Sequence, residues 1–298
     1  KPSGYWHLST GSTIAYYEFG QISSEKVPFI FLHGGPGAPV LGRDHFVDEL
    51  VSSGFHVYQY DQLGGGKSTR LKNCKDYTLN RQIEDLEEIR EKIGAEKINI
   101  VCHSFGGTLA SNYILAHSDR VSQCIFISPG PICQSEIQTL TSEGKKDQSN
   151  CLSKNKRFLL AQFIVSVFSP QQGLFVLMPE KILDRLFMHF HDDLNMMPGS
   201  NKYYNTKGAG FGFWANLMIG SDLPVCQFDT FKKFEGKALV VKGQFDYISF
   251  DVTDEYRKHI PNSVLIKIDG IGHSVDPIHH NEVWNNIHSF IVNGTTEN

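Results

Sequence analysis

The sequence predicts an α/β protein in which a mostly parallel sheet is flanked by helices and interrupted by an inserted, mainly helical cap. Short, nearly continuous apolar runs alternate with segments of helical periodicity along the first 130 residues. Strands that are buried on both faces and alternate with amphipathic helices have this pattern. The alternation stops at Pro129-Gly-Pro131 and returns after Leu223-Pro224. One sheet with right-handed crossovers and a single long insertion therefore accounts for the whole pattern.

The elements can be assigned in chain order. Two alternating runs between Tyr5 and Gly20 predict an antiparallel hairpin. Buried strands are predicted at 28–32, 55–60, 98–101, 124–127, 237–242 and 263–268. Helices are predicted over about 42–53, 79–94, 105–117, 250–260 and 280–292. In the second helix apolar residues recur at helical spacing with charges between them, and Gly94 stands at its C-terminal end.

The predicted elements divide the chain into a core and a cap. We assign residues 1–130 and 224–298 to the α/β core and residues 131–223 to the helical cap. The cap segment has no strand pattern and is rich in Phe, Leu and Met. Ligands of open α/β sheets bind at the carboxyl edge of the strands, so we expect the cap to cover a site there.

Composition limits the classes of partner. The chain has 298 residues, of which 40% are hydrophobic and 20% charged, with a formal net charge of −4. This balance is typical of globular proteins, and the net charge gives no electrostatic reason to expect nucleic acid or an anionic membrane as partner. The longest apolar run, residues 158–168, is about half of what spans a bilayer, so no stable membrane insertion is predicted. The sequence leaves the oligomeric state open.

Cysteine usage indicates redox state and metal binding. The six cysteines form no C-x-x-C pair and no close His/Cys ligand set; they are Cys74, Cys102, Cys124, Cys133, Cys151 and Cys226. Scattered cysteines of this kind predict reduced thiols rather than a disulfide framework. We therefore expect a cytoplasmic protein that uses no metal and no cofactor.

A serine stands where a strand is predicted to turn into a helix. Residues 102–107 read Cys-His-Ser-Phe-Gly-Gly, between a β-rich run and a helical one. The pattern is close to the G-x-S-x-G nucleophile elbow, with Cys102 in place of the first glycine. In such a turn the serine hydroxyl is exposed and the next backbone N–H is free to stabilise an oxyanion. We predict Ser104 as nucleophile and the Phe105 N–H as one oxyanion donor.

An acid and a base follow the cap in the order that this elbow requires. Asp246 comes just after one buried strand, and His273 lies on a glycine-rich loop after the next. A serine needs a neutral imidazole to remove its proton and a carboxylate to orient that imidazole. We assign Asp246 as the orienting acid and His273 as the general base and acid. The alternatives are Asp251 for the acid and His279 or His280 for the base.

A second glycine-rich loop follows the first buried strand. Residues 33–37 read His-Gly-Gly-Pro-Gly, which lets the chain double back and direct an amide inward. We expect the Gly35 N–H to complete the oxyanion hole with Phe105. Neither a G-x-G-x-x-G nor a P-loop lysine pattern is present, which argues against a nucleotide site. Substrate-pocket residues are predicted to be His33, Gly34, His103 and Trp214, with the His103 ring in the pocket wall and pointing away from the base.

These motifs together resemble the prolyl iminopeptidase family of α/β-hydrolases, peptidase family S33. The resemblance rests on the loop at residues 33–37, an Asp61-Gln-Leu-Gly turn, the Ser104 elbow, Asp246 and His273. It covers about residues 27–130 and 225–293. It implies the α/β-hydrolase fold, a serine hydrolase that removes N-terminal residues from short peptides or cleaves a related amide, and a structural role for Asp61.

The cap departs from that family. Family members hold the free amino end of a peptide with acidic cap residues near tryptophans, whereas Trp214 is the only tryptophan between residues 131 and 223. The acidic residues available are Glu136, Glu143, Glu180, Asp184, Asp192 and Asp193. Because the cap is rich in phenylalanine, an esterase or lactonase for a hydrophobic small molecule is an alternative. A receptor for small ligands, with the hydrolase fold and little turnover, is a third hypothesis.

Overall fold

The computed structural model describes residues 1–136 except 24, 38 and 41, residues 181–183, 185, 212 and 216, and residues 223–294 and 296. Most of the predicted cap, residues 131–223, lies outside these ranges. The cap boundaries and its helical character therefore stay predictions.

The described strands form one eight-stranded sheet in the order β1-β2-β4-β3-β5-β6-β7-β8. Their bounds are β1 Gly4–His7, β2 Thr13–Phe19, β3 Phe29–Leu32, β4 Val57–Tyr60, β5 Ile98–His103, β6 Val121–Ile127, β7 Lys237–Gly243 and β8 Ser263–Ile268. The β1–β2 and β2–β4 pairs are antiparallel, and every other neighbouring pair is parallel. The predicted hairpin and the predicted parallel sheet are both confirmed.

The α-helices whose bounds the structure gives are α1 His45–Ser52, α2 Leu79–Lys92, α3 Phe105–Ala116, α4 Phe250–His259 and, after the last strand, α5 His280–Asn293. Side-chain caps set three of the helix starts, because Asp44, Thr78 and Ser249 each accept a hydrogen bond from a backbone N–H in the first turn. Helix α1 consequently begins after Asp44, three residues later than the apolar pattern predicts.

The two faces of the sheet are both covered, which explains why its strands are apolar without alternation. On β3, Phe29 and Phe31 belong to a buried cluster with residues of α1 and α5. Their neighbours Ile30 and Leu32 belong to a second buried cluster with residues of α2, α3 and α4. Successive side chains of a strand point to opposite faces, so each face requires its own apolar residues.

The cysteines correct one prediction. Cys133 and Cys226 form a disulfide across a sequence separation of 93 residues, so the expectation of fully reduced thiols is wrong for this pair. Cys133 lies at the start of the predicted cap and Cys226 just after its end, and their proximity depends on the fold rather than on local spacing. The argument for a reducing compartment loses its support.

Among the described helices none has the length and apolarity needed to cross a bilayer.

Candidate active site

Ser104 occupies a strained turn between β5 and α3. Its backbone has φ 54° and ψ −121°, and α3 begins at the next residue. The Ser104 carbonyl accepts the N–H groups of Gly107 and Gly130 at 2.8 and 2.9 Å. A Cβ on Gly107 would lie 2.5 Å from the Pro129 side chain, so the turn needs a glycine there. A positive φ at a serine costs on the order of 1–3 kcal/mol and is typical of functional turns.

Asp246 and His273 are joined as predicted. The His273 Nδ1 atom lies 2.7 Å from Asp246 Oδ1, and the Asp246 side chain is fully buried. The loop that carries His273 crosses the end of β7, where Gly243 has no side chain to block it. A Cβ on Gly243 would lie 2.8 Å from the carbonyl oxygen of Ile271. This crossing brings His273 from the edge strand β8 back towards the centre of the sheet.

The surroundings of Asp246 keep it ionised. Burial alone would raise the pKa of Asp246, but the pKa is lowered overall, and the charge and the hydrogen bond of His273 are the largest causes of the lowering. The Lys242 ammonium and the Ile248 N–H lower the pKa of Asp246 further. The Ile248 N–H donates to Asp246 Oδ1 at 3.0 Å. A carboxylate in this state accepts a hydrogen bond from the Nδ1–H of His273 and so orients the imidazole.

The alternative acid and bases lie elsewhere. Asp251 is exposed in the first turn of α4. The His279 ring pairs with Asp276 at 2.9 Å, and the His280 ring lies 3.7 Å from a Glu49 carboxylate oxygen. The structure therefore pairs His273 with Asp246 and pairs both alternative histidines with other carboxylates.

The His273 ring lies beside the residue that precedes Ser104. The ring centroids of His273 and His103 are 4.8 Å apart. Within the described residues no hydrogen bond joins the Ser104 hydroxyl to the His273 ring. Such catalytic hydrogen bonds often tighten only when substrate is bound.

His103 does not point away from the base, so this prediction is wrong. Its Nε2 atom lies 2.8 Å from the His273 carbonyl oxygen, to which it must donate because a carbonyl only accepts. Burial and, to a smaller extent, the nearby charge of His273 lower the pKa of His103 from 6.5 to about 4. A neutral His103 thus fixes the backbone of the His273 loop. Its side chain leaves β5 on the face opposite Cys102.

The loop after β3 passes directly over the nucleophile elbow. A Cβ on Gly34 would lie 2.9 Å from Ser104 Cβ, so only glycine allows this approach. Within the described residues, the N–H groups of Gly35 and Phe105 donate to no protein acceptor. Free N–H groups on a loop and at a helix N-terminus on either side of a serine are what an oxyanion hole requires.

His33 is built into that loop. Its Nε2 accepts the Gln62 N–H at 3.2 Å, and its Nδ1 therefore donates to the Gly34 carbonyl at 2.8 Å. Burial lowers the pKa of His33, which favours this neutral tautomer. The loop thus engages Nδ1 and the turn after β4 engages Nε2, whereas contact of His33 with a substrate stays a prediction.

The turn after β4 holds the loop from the other side. The Gln62 side chain donates to the His33 carbonyl at 2.7 Å and accepts the Gly37 N–H at 3.2 Å. Asp61 accepts the N–H groups of Val40 and Lys67 at 2.6 and 2.8 Å. These contacts agree with the structural role that the resemblance implies for Asp61.

Three residues near the site have no role in the sequence-based assignment. Lys242 contacts Asp246 at 3.0 Å, and the Tyr247 ring lies 4.3 Å from the His273 ring. The buried Asn216 side chain donates to the Leu63 carbonyl at 2.7 Å. Only Lys242 has a sequence signal, because a lysine inside a buried apolar strand needs a partner. The predicted pocket residue Trp214 lies outside the described residues.

Comparisons with known proteins show the family and the fold of this chain. A family model described as alpha/beta hydrolase fold matches residues 27–275. The proline iminopeptidase of Saccharolobus solfataricus is 27% identical over 273 residues, covering 87% of this chain and 82% of that protein. A carboxylesterase structure from Nitrososphaera gargenis has a TM-score of 0.65 at 20% identity and covers 96% of this chain and 97% of the other. The enol-lactonase structure from Burkholderia xenovorans has a TM-score of 0.64 at 16% identity, covering 96% and 99%.

Proposed function

We propose that this chain, which belongs to the α/β-hydrolase family, is a serine hydrolase that cleaves an amide or ester through an acyl-enzyme. Ser104 is the nucleophile, His273 the general base and acid, and Asp246 the orienting carboxylate. The observation that carries the proposal is the 2.7 Å contact between His273 Nδ1 and the buried Asp246 carboxylate. It leaves Nε2 of a neutral His273 ring free to take the proton of a serine.

The reaction follows from these roles. Ser104 Oγ attacks the substrate carbonyl as His273 removes its proton, and the N–H groups of Gly35 and Phe105 bind the oxyanion. Together these two donors are worth on the order of 10³–10⁴ in rate. His273 then protonates the leaving group, and water hydrolyses the acyl-enzyme by the same route. The base works only when neutral, so we expect activity to be lost in acid.

For the substrate, we propose removal of an N-terminal residue from a small peptide, or cleavage of a related small amide. The proline iminopeptidase relative supports this choice, because the similarity to it extends over most of both chains. One predicted cap carboxyl offers no support. Glu136 is buried at 5% exposure and its carboxylate accepts the Ile132 N–H, so it does not present a free charge to a peptide amine.

A hydrophobic ester or lactone is the second candidate substrate. The observation in its favour is the composition of residues 131–223, which are rich in phenylalanine and contain a single tryptophan. An apolar cap fits an acyl chain or an aromatic group better than the charged end of a peptide.

Covalent labelling tests the proposed chemistry without knowledge of the substrate. A fluorophosphonate probe should label wild-type protein at Ser104 and should not label Ser104→Ala. Ser128→Ala is the matched control, because Ser128 follows the neighbouring strand β6 with a similar positive φ of 45°. It should label as wild type does. Wild-type protein that stays unlabelled, or undiminished labelling of folded Ser104→Ala, would refute the assignment.

A substrate panel then separates the candidates. Proline β-naphthylamide, other aminoacyl amides, short and long acyl esters and lactones should be compared at pH 8. Preferred turnover of prolyl or aminoacyl amides supports the peptidase proposal, and turnover of esters or lactones alone supports the second candidate. Labelling without turnover of any of them would favour the receptor hypothesis.

A further inference from the structure

A buried lysine lies beside the proposed catalytic acid. Lys242 belongs to β7 and is only 5% exposed. Its strand neighbours Val240 and Val241 are fully buried apolar residues, so a charged side chain is unexpected at this position. Burying an unpaired ammonium is far more costly than burying a methylene chain. A lysine at this position therefore requires a partner of opposite charge, and the partner that it has is part of the proposed active site.

The Lys242 ammonium contacts the loop that carries Asp246. Its Nζ lies 3.0 Å from Asp246 Oδ2 and also donates to the Ile248 carbonyl. The other carboxylate oxygen, Oδ1, accepts from His273 Nδ1 and from the Ile248 N–H. The carboxylate thus has a lysine ammonium on one oxygen and the imidazole on the other.

We propose that Lys242 is a positioning residue that acts through Asp246 and sets the lower pH limit at which His273 works as a base. This inference rests on the proposed function, since it assumes that Asp246 and His273 activate Ser104. A positive charge behind the carboxylate weakens the attraction between Asp246 and a protonated imidazole. The neutral form of His273 then persists to lower pH. Loss of the lysine charge should move the acidic limb of the pH–rate profile to higher pH.

Other charged and titratable groups face this pair from the neighbouring elements. His103 at the end of β5 and the Tyr247 ring contact His273, while His33 lies in the loop after β3. Burial keeps His103 neutral above about pH 4, where its pKa lies. Exposed charges on neighbouring elements include Lys267, in register with Lys242 on β8, and Asp251 in α4. Their exposure to solvent screens them, whereas Lys242 is buried against the carboxylate.

The experiment measures the rate of fluorophosphonate labelling at Ser104 from pH 4.5 to 9. Lys242→Met and Lys242→Gln remove the charge, and Gln keeps a donor for the Ile248 carbonyl. We expect both to move the half-maximal pH upward by about one unit, near the lower end of the shifts that adjacent charges produce. Lys242→Arg keeps the charge and should remain within about 0.3 unit of wild type.

The matched control is Lys237→Met. Lys237 lies at the opposite end of β7, where its Nζ donates to the carbonyls of Phe290 and Ile291 at 2.8 and 3.2 Å. The Lys237→Met substitution removes a lysine from the same strand without altering the contacts of Asp246, so it should leave the half-maximal pH unchanged. Thermal unfolding identifies which variants are folded, and Lys242→Gln carries the test if the Met variant is not.

The outcomes distinguish the inference from the proposed function. Absence of Ser104 labelling in wild-type protein would overturn the proposed function itself. If wild type labels normally and the folded neutral variants keep its half-maximal pH, Lys242 has only a structural role and the inference is wrong. An equal shift in Lys237→Met would also overturn it, because the effect would then not depend on contact with Asp246.

Discussion

The buried carboxyl of Glu136 should make the stability of this protein decrease as the pH rises. Glu136 is 5% exposed, its Oε2 accepts the Ile132 N–H at 2.6 Å, and its Oε1 has no hydrogen-bond partner among the described residues. Burial raises the pKa of Glu136 from 4.5 to about 7, and the charge of Glu255 contributes to this increase. Glu136→Gln replaces the carboxyl by an amide of the same shape that cannot ionise.

The sign and size of the effect follow from the two states of the carboxyl. Between pH 4.5 and about 7 the folded protein keeps this proton while the unfolded chain loses it. The free energy of unfolding therefore falls across that window. A shift of about 2.5 pH units corresponds to at most about 3 kcal/mol, fully present below pH 4.5 and lost above pH 7. The unfolding free energy of Glu136→Gln should not decrease in this way, because the amide does not ionise.

Urea unfolding at pH 5 and pH 8 measures the effect. The difference in unfolding free energy between the two pH values should be smaller in Glu136→Gln than in wild type, by about 2–3 kcal/mol. Glu235→Gln, which alters an exposed glutamate, is the control and should retain the wild-type difference. A pH dependence that is the same in all three proteins would show that the Glu136 carboxyl ionises as easily in the folded state as in the unfolded chain.

Three further predictions concern the framework of the site. Cys226→Ser removes the disulfide to Cys133 and should cost about 2–4 kcal/mol in urea unfolding; wild type in dithiothreitol should match it, and an unchanged midpoint would contradict the pairing. Gly106→Ala places a methyl group against the carbonyls of Leu32 and His33 and should cost about 1–3 kcal/mol, whereas Gly42→Ala, with nothing within 4 Å, should be neutral. Gln62→Met leaves the loop after β3 without its two side-chain hydrogen bonds and should lower kcat/KM about 10–100-fold. Full activity of that variant on whichever panel substrate is turned over would argue against a role for the loop in catalysis.

Sequence patterns were sufficient wherever the signal is local. The apolar runs and the helical periodicity predicted the sheet and helices, because strand burial on two faces and helix amphipathicity each produce a pattern of apolar residues over a short stretch of sequence. The boundaries differ where a side chain competes for the backbone, as Asp44 does before α1. The Ser104 turn was predictable too, since a strand, a serine and close-packed glycines occur together in six residues.

Long-range contacts needed the fold. Order along the chain left Asp251, His279 and His280 as alternatives, and only the crossing of the last loop over Gly243 joined His273 to Asp246. Nothing in the local sequence indicated that Cys133 would meet a cysteine 93 residues away. The direction of the His103 ring likewise depends on a loop from the far end of the chain.

By itself, the sequence determined that the chain forms a covered parallel sheet and that a serine projects from its centre. Each of these properties depends on neighbouring residues, whose spacing alone specifies backbone conformation and burial. The tertiary structure alone decided which acid meets which histidine and that Lys242 lies against the acid. Such pairings depend on how separate strand ends converge, and the local sequence does not specify which residues from distant parts of the chain come into contact.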